Sequence, residues 1–180
     1  MLSNNSPRWA MSDYGIICSG AATVSVYPTL IPSQVEHILN DSNSVVVFAE
    51  GQEQMAKIME IWDNCPKLTH AVVMDDSNTE ADDRIINFLD FLDLGTKYEQ
   101  ESEASFEDLI AKTEPNDLLT LIYTSGTTGN PKGVMLSHGN MMSNVEGTKQ
   151  DIFFDQTEIF LSFLPLSHSF ERMGGHFSAF

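Results

Sequence analysis

Short, unbroken apolar runs alternate with helix-patterned segments along this chain, and that alternation leaves few architectures open. Val45–Phe48 is four consecutive apolar residues, the mark of a strand covered on both faces. Ala22–Tyr27, His70–Met74, Leu118–Tyr123 and Ile159–Leu164 read as further strands. Between them fall helical patterns. Pro7 opens one that runs to Gly20, with Trp9, Ala10, Tyr14 and Ile17 on one face. A second starts at Pro32, where Ser33 and Glu36 resemble a capping box and Val35, Ile38 and Leu39 form the buried stripe. Gln52–Trp62 is a third, and Asp82–Leu94 a fourth, with Ile85, Phe88, Leu89 and Leu92 inward and Gly95 as C-cap. Phe106–Ala111, Met141–Lys149 and a segment from Phe170 onward add helices. The expected fold class is α/β with alternating strands and helices and a mostly parallel sheet. Residues 1–95 form an α/β subregion, 96–117 an acidic connector and 118–180 a region organised by a glycine-rich loop.

That loop, Thr124 to Gly133, lies between the apolar runs Leu118–Tyr123 and Val134–Leu136 and should hang between two strands. It holds the turn formers Gly126, Gly129, Asn130, Pro131 and Gly133, the hydroxyls of Thr124, Ser125, Thr127 and Thr128, and the cation Lys132. Glycine backbones can aim N–H groups at an anion, hydroxyls add donors, and the ammonium adds charge. These are the parts of a phosphate cradle. The loop is not a P-loop, because Gly126 is followed five positions later by Pro131 and Lys132 by Gly133. GxGxxG is absent as well.

Charge narrows the partners. The 180 residues carry a formal net charge of −17, with fourteen acidic against three basic residues between Asp75 and Asp117. Such a surface repels polyanions, so nucleic acid is not an expected partner. ATP is an anion too, but screening over about 8 Å lets Lys132 act locally. Cys18 and Cys65 form no CxxC pair, which reads as a reduced, cytoplasmic chain. Five histidines show no metal-site spacing. Tyr14–Val26 is too short to span a bilayer, so no transmembrane segment is expected, and peripheral membrane contact stays open.

The string Thr124-Ser125-Gly126-Thr127-Thr128-Gly129-Asn130-Pro131-Lys132-Gly133 fits the pattern [ST]SGTTGxPKG at every position. It resembles the signature loop of the adenylate-forming, AMP-binding superfamily. GIICSGAATVSVYPTLIPSQVEHILNDSNSVVVFAE and SFLPLSHSFERMGG resemble segments of its long-chain acyl-CoA synthetase branch. The resemblance implies ATP-dependent activation of a fatty acid to an acyl-adenylate, then transfer to coenzyme A. It implies that Thr124, Ser125, Gly126, Thr127, Thr128, Gly129 and Lys132 bind the β- and γ-phosphates, that Thr124 helps hold Mg²⁺, and that His168 lies near the acyl and pantetheine channels. Lys132 and His168 are the catalytic candidates. Glu171 and Arg172 are expected to pair across a helix start, and His138 to be structural. The family continues for several hundred residues beyond Phe180 and places strands before Ser3, so the chain is expected to be an internal fragment without the C-terminal domain and inactive alone. A non-catalytic nucleotide-binding or interaction fragment, a fatty-acyl-AMP ligase and a peptide-synthetase adenylation domain remain the alternatives, and oligomeric state stays open.

The chemistry calls for such groups independently of the family. A carboxylate is a poor electrophile, and activating it with ATP means stabilising a departing pyrophosphate with N–H donors, an ammonium and a metal ion. A unit charge about 4 Å from another contributes on the order of 4 kcal/mol at an effective dielectric near 20. Losing Lys132 should slow activation by roughly two to three powers of ten.

Overall fold

The computed structural model describes every residue except 76–81, 104, 125–129, 153, 154, 156, 158, 180 and the side chain of 151. Helix α1 (Pro7–Cys18) starts with Pro7 in its first turn, and Ser6 is its N-cap, the hydroxyl accepting from the Trp9 N–H at 3.0 Å. It is followed by β1 (Thr23–Ser25), α2 (Pro32–Asp41), β2 (Val46–Ala49) and α3 (Gly51–Ile61). Then come β3 (His70–Val73), β4 (Ile85–Asn87), α4 (Phe88–Glu101) and α5 (Phe106–Ile110). The remainder is β5 (Leu118–Thr124), β6 (Lys132–Ser137), α6 (His138–Asp151), the one-turn α7 (Ser169–Glu171) and a π-helical turn at Arg172–Phe177.

Two three-stranded sheets, ordered β1-β5-β6 and β2-β3-β4, are joined by one residue. Leu2 bridges in parallel to Val26, just beyond β1, and to Ala49 at the end of β2. Its N–H donates to Phe48 O at 2.8 Å, and its carbonyl accepts from Glu50 at 3.0 Å. Among the described residues every strand pair is parallel except β5–β6, so the expected α/β class with a mostly parallel sheet holds. The core under this sheet includes Leu2, Val26, Val47, Ala71 and Val73, closed by Ile58 and Ile61 of α3. Val35, Ile38 and Leu39 of α2 join it as the sequence predicts. Each contributes about 1.5–3 kcal/mol by leaving water.

Several expectations are corrected. Ser33 does not cap α2: Pro32 occupies the first turn, Ile31 is the N-cap, and Gln34 accepts from the Ile31 N–H. The predicted helix Asp82–Leu94 is two elements, because Ile85, Ile86 and Asn87 pair with Ala71, Val72 and Val73 as a strand. That shift resets the helical phase at Phe88, which is buried, and leaves Leu89 and Leu92 exposed. Gly95 is no C-cap, since α4 continues to Glu101. Val45 and Val46 are exposed, so β2 is covered on both faces only from Val47 onward. Residues 159–164 form no strand: a strand exists only by pairing, and no ladder partner stands beside them among the described residues. Ile159, Leu161 and Phe163 are exposed there.

Candidate functional site

The glycine-rich loop leaves the carboxyl end of β5, where open α/β sheets place their ligands. β5 and β6 are antiparallel, with Thr124 opposite Lys132, Tyr123 opposite Gly133 and Ile122 opposite Val134. The two ends of the predicted cradle are therefore cross-strand neighbours, and both side chains are exposed. Ser125, Gly126, Thr127, Thr128 and Gly129 lie outside the described residues. Gly133 has a steric reason to be glycine, since a Cβ there would stand 3.0 Å from the Tyr123 ring. After β6, Ser137 caps α6: its hydroxyl accepts from Asn140 N–H at 3.2 Å, and the Asn140 side chain accepts from Ser137 N–H at 3.0 Å. His138 is the first residue of α6, half-buried, with its N–H on Asp117 O.

The segment leading to His168 crosses the same end of the sheet. Asn5, just past the Leu2 bridge, donates to Leu164 O at 2.7 Å and accepts from Leu166 N–H at 2.7 Å. Ser25 closes β1 and donates to Ser167 O at 3.3 Å. Ser25 is in register with Ile122, two residues before Thr124, so the bond to Ser167 tethers the segment before His168 to the strand beside β5, near the point where the hairpin loop departs. His168 itself is exposed, and its Nδ1 accepts from the Phe170 N–H at 3.2 Å as the N-cap of α7. With Nδ1 as acceptor, the neutral ring carries its proton on Nε2.

Beneath this edge sits a charged cluster that the sequence reading missed. Arg172 and Asp13 are both fully buried. Arg172 donates from Nε to Asp13 Oδ2 at 3.0 Å and from Nη2 to Oδ1 at 2.5 Å. A third donor, Nη1, reaches the Thr120 hydroxyl, which itself donates to Thr23 O at 2.6 Å. His176 Nε2 meets Asp13 Oδ2 at 3.1 Å. The guanidinium lies 5.7 Å from the Trp9 ring centroid and 5.5 Å from that of Phe177. Burial pushes the Asp13 carboxyl up, but the His176 hydrogen bond and the Arg172 charge outweigh it and hold Asp13 below its ordinary value. Burial likewise lowers Arg172, against the pull of Asp13. The expected Glu171–Arg172 pairing is thereby corrected: Arg172 turns inward to α1. Asp13 falls on the face of Trp9 and Ile17, and a carboxylate on an apolar helix face was the available signal.

An apolar cavity of about 630 Å³ lies elsewhere, between α1, α4 and the sheet, lined by Ile16, Val24, Phe48, Phe88, Phe91 and Leu121 among others. Of the predicted site residues that the structure describes, Thr124, Lys132 and His168, none lines it. Among the described residues no cluster of three His, Cys, Asp or Glu side chains could hold a metal, and no helix is long and apolar enough to cross a membrane.

Comparison with known proteins gives this geometry a family. The long-chain-fatty-acid–CoA ligase ACSBG2 of Xenopus laevis is 32% identical over 177 residues, covering 96% of this chain and 24% of its own length. The human long-chain-fatty-acid–CoA ligase ACSBG1 is 34% identical over 172 residues, covering 93% of this chain and 23% of its own. The chain thus spans about a quarter of the relatives it matches. Among solved structures, the inhibitor-bound N-terminal domain of FACL13 from Mycobacterium tuberculosis superposes with a TM-score of 0.73 at 25% identity, over 98% of this chain and 40% of that one. The anthranilate CoA ligase AuaEII, in complex with anthranoyl-AMP, gives 0.60 at 28% identity, over 83% of this chain and 26% of that one. The family model for AMP-binding enzymes matches residues 1–180, and the chain belongs to that family.

Proposed function

We propose that this chain supplies the triphosphate-gripping part of an ATP-dependent long-chain fatty acid–CoA ligase. The observation that carries the reading is the match of the signature loop together with the cross-strand placement of Thr124 and Lys132 at the carboxyl end of β5. In this reading Ser125, Gly126, Thr127, Thr128 and Gly129 offer donors to the β- and γ-phosphates. The Lys132 ammonium offsets the negative charge that builds on pyrophosphate as the acid attacks the α-phosphorus. The hydroxyl of Thr124 would help hold a Mg²⁺ ion alongside the phosphates. Its chemistry there is Lewis-acid polarisation of phosphoryl oxygens. His168 has Nδ1 committed to the α7 cap, and in this reading its Nε2–H serves the acyl and thiol substrates. Relatives named as fatty acid–CoA ligases favour a fatty acid and coenzyme A over the fatty-acyl-AMP ligase and peptide-synthetase alternatives.

A second reading follows from the share of the relatives that the chain spans: these 180 residues alone bind nucleotide without turning it over. One assay separates the two. Acid-dependent ATP–pyrophosphate exchange is expected from a protein that carries this segment within a ligase of the relatives' full length, and not from the 180 residues alone. Lys132→Ala in the long form should lower exchange by about two to three powers of ten. Unchanged exchange in that variant would remove the loop from the mechanism.

A further inference from the structure

We infer that His37 and Asp41 of α2 are positioning residues that set the phosphate hairpin from below. The inference rests on the proposed role of the hairpin and deepens it. His37 and Asp41 are four residues apart and so share one flank of the helix. His37 Nε2 faces Pro131 O at 2.9 Å, and a carbonyl only accepts, so Nε2 carries the proton. Pro131 immediately precedes Lys132, the first residue of β6. Asp41 Oδ2 accepts from the Tyr123 hydroxyl at 2.6 Å, at the penultimate residue of β5. The two hydrogen bonds therefore hold both strands where the loop leaves them.

The Tyr123 ring ties the two anchors together. It stands edge to face with His37, with centroids 6.4 Å apart, and fills the space over Gly133 that a side chain would need. Burial, reinforced by Asp41, raises the Tyr123 hydroxyl above its ordinary pKa, so it remains a donor across the accessible range. α2 is held to the core by Val35, Ile38 and Leu39, on a different flank. His37 is half-buried and Asp41 exposed, so neither is needed to seat the helix. Two polar side chains kept on the hairpin flank act on the hairpin. By fixing the Pro131 carbonyl, His37 limits where the Lys132 ammonium can reach, and a cation held in place binds a phosphate more tightly than one that must be ordered.

The test is a titration of the chain with MgATP, followed at the Lys132 and Gly133 amides by NMR, with thermal melting measured alongside. His37→Ala should weaken MgATP binding about three- to tenfold, the worth of one hydrogen bond, while the melting temperature stays within about 2 °C. His37→Gln, which keeps a side-chain N–H, should bind within about twofold of the original. Tyr123→Phe, which releases Asp41, should weaken binding in the same direction. Binding by His37→Ala equal to the original, with Lys132→Ala impaired, overturns the inference and leaves the proposed function standing. His37→Gln as weak as His37→Ala also overturns it, since packing rather than the donor would then matter. MgATP binding that does not depend on Lys132 removes the proposed function and this inference with it.

Discussion

Replacing Arg172 by methionine would strand a carboxylate in the protein interior. Asp13 has no exposed surface, and its two oxygens accept two hydrogen bonds from Arg172 and face His176 Nε2. Arg172→Met deletes both Arg172 bonds and leaves Thr120 without its buried donor. Breaking one side of a buried ion pair costs about 3–5 kcal/mol, more than the whole-pair replacement does, because the remaining charge is uncompensated. For a chain of this length that corresponds to a fall in melting temperature of about 6–20 °C. The double variant Asp13→Asn with Arg172→Met should recover at least half the loss, since no full charge then remains buried beside His176. Urea unfolding followed by circular dichroism, run as a double-mutant cycle, measures the coupling directly. A loss below about 1 kcal/mol in Arg172→Met would refute the reasoning. So would strict additivity in the cycle, because it would mean that the two charges act independently.

The same pair fixes the sign of the acid response. Asp13 is held below its ordinary value in the fold, so its contribution is present above the unfolded pKa of about 4 and is lost as pH falls through the folded value. Acid unfolding should therefore begin below about pH 4, and the Arg172→Met midpoint should move to higher pH, as a stability titration would show. Gly51 opens α3 with φ of +60°, and a Cβ there would collide with Asp75 Oδ2. Gly51→Ala should cost about 1–3 kcal/mol in urea unfolding, because the backbone strain remains even if the carboxylate swings aside. His168→Asn preserves an acceptor for the α7 cap and should leave stability unchanged within about 0.5 kcal/mol. In a protein of the relatives' length that carries this segment, the proposed role has it lower acyl-CoA formation about tenfold with pyrophosphate exchange unaffected; equal effects on both steps would count against a role at the thiol-transfer step.

What could be read from the chain depended on how local its cause was. The α2 stripe and the strands Leu118–Tyr123 and Val134–Leu136 follow from periodicity and turn residues within a few positions, and the structure keeps them as parts of α2, β5 and β6. The family was legible for the same reason, because its signature is ten contiguous residues, and the AMP-binding family model matches the chain. β4 was not legible, because Ile85, Ile86 and Asn87 carry a helix-compatible pattern and become a strand only through β3. Residues 159–164 show the reverse error, an apolar run that reads as a strand but has no ladder to join among the described residues. The Asp13–Arg172 pair spans 159 positions, and neither member announces its partner. His37 was invisible for a similar reason: its partner is a proline carbonyl 94 residues away, and every residue has a carbonyl.

The proposed grip of the hairpin on triphosphate is tested most directly by mapping amide chemical-shift changes as MgATP is added to the chain. The account predicts that the largest changes cluster from Thr124 to Gly133 and disappear in Lys132→Ala. Changes centred on the cavity lined by Ile16, Phe48 and Phe91, with Lys132 silent, would contradict it.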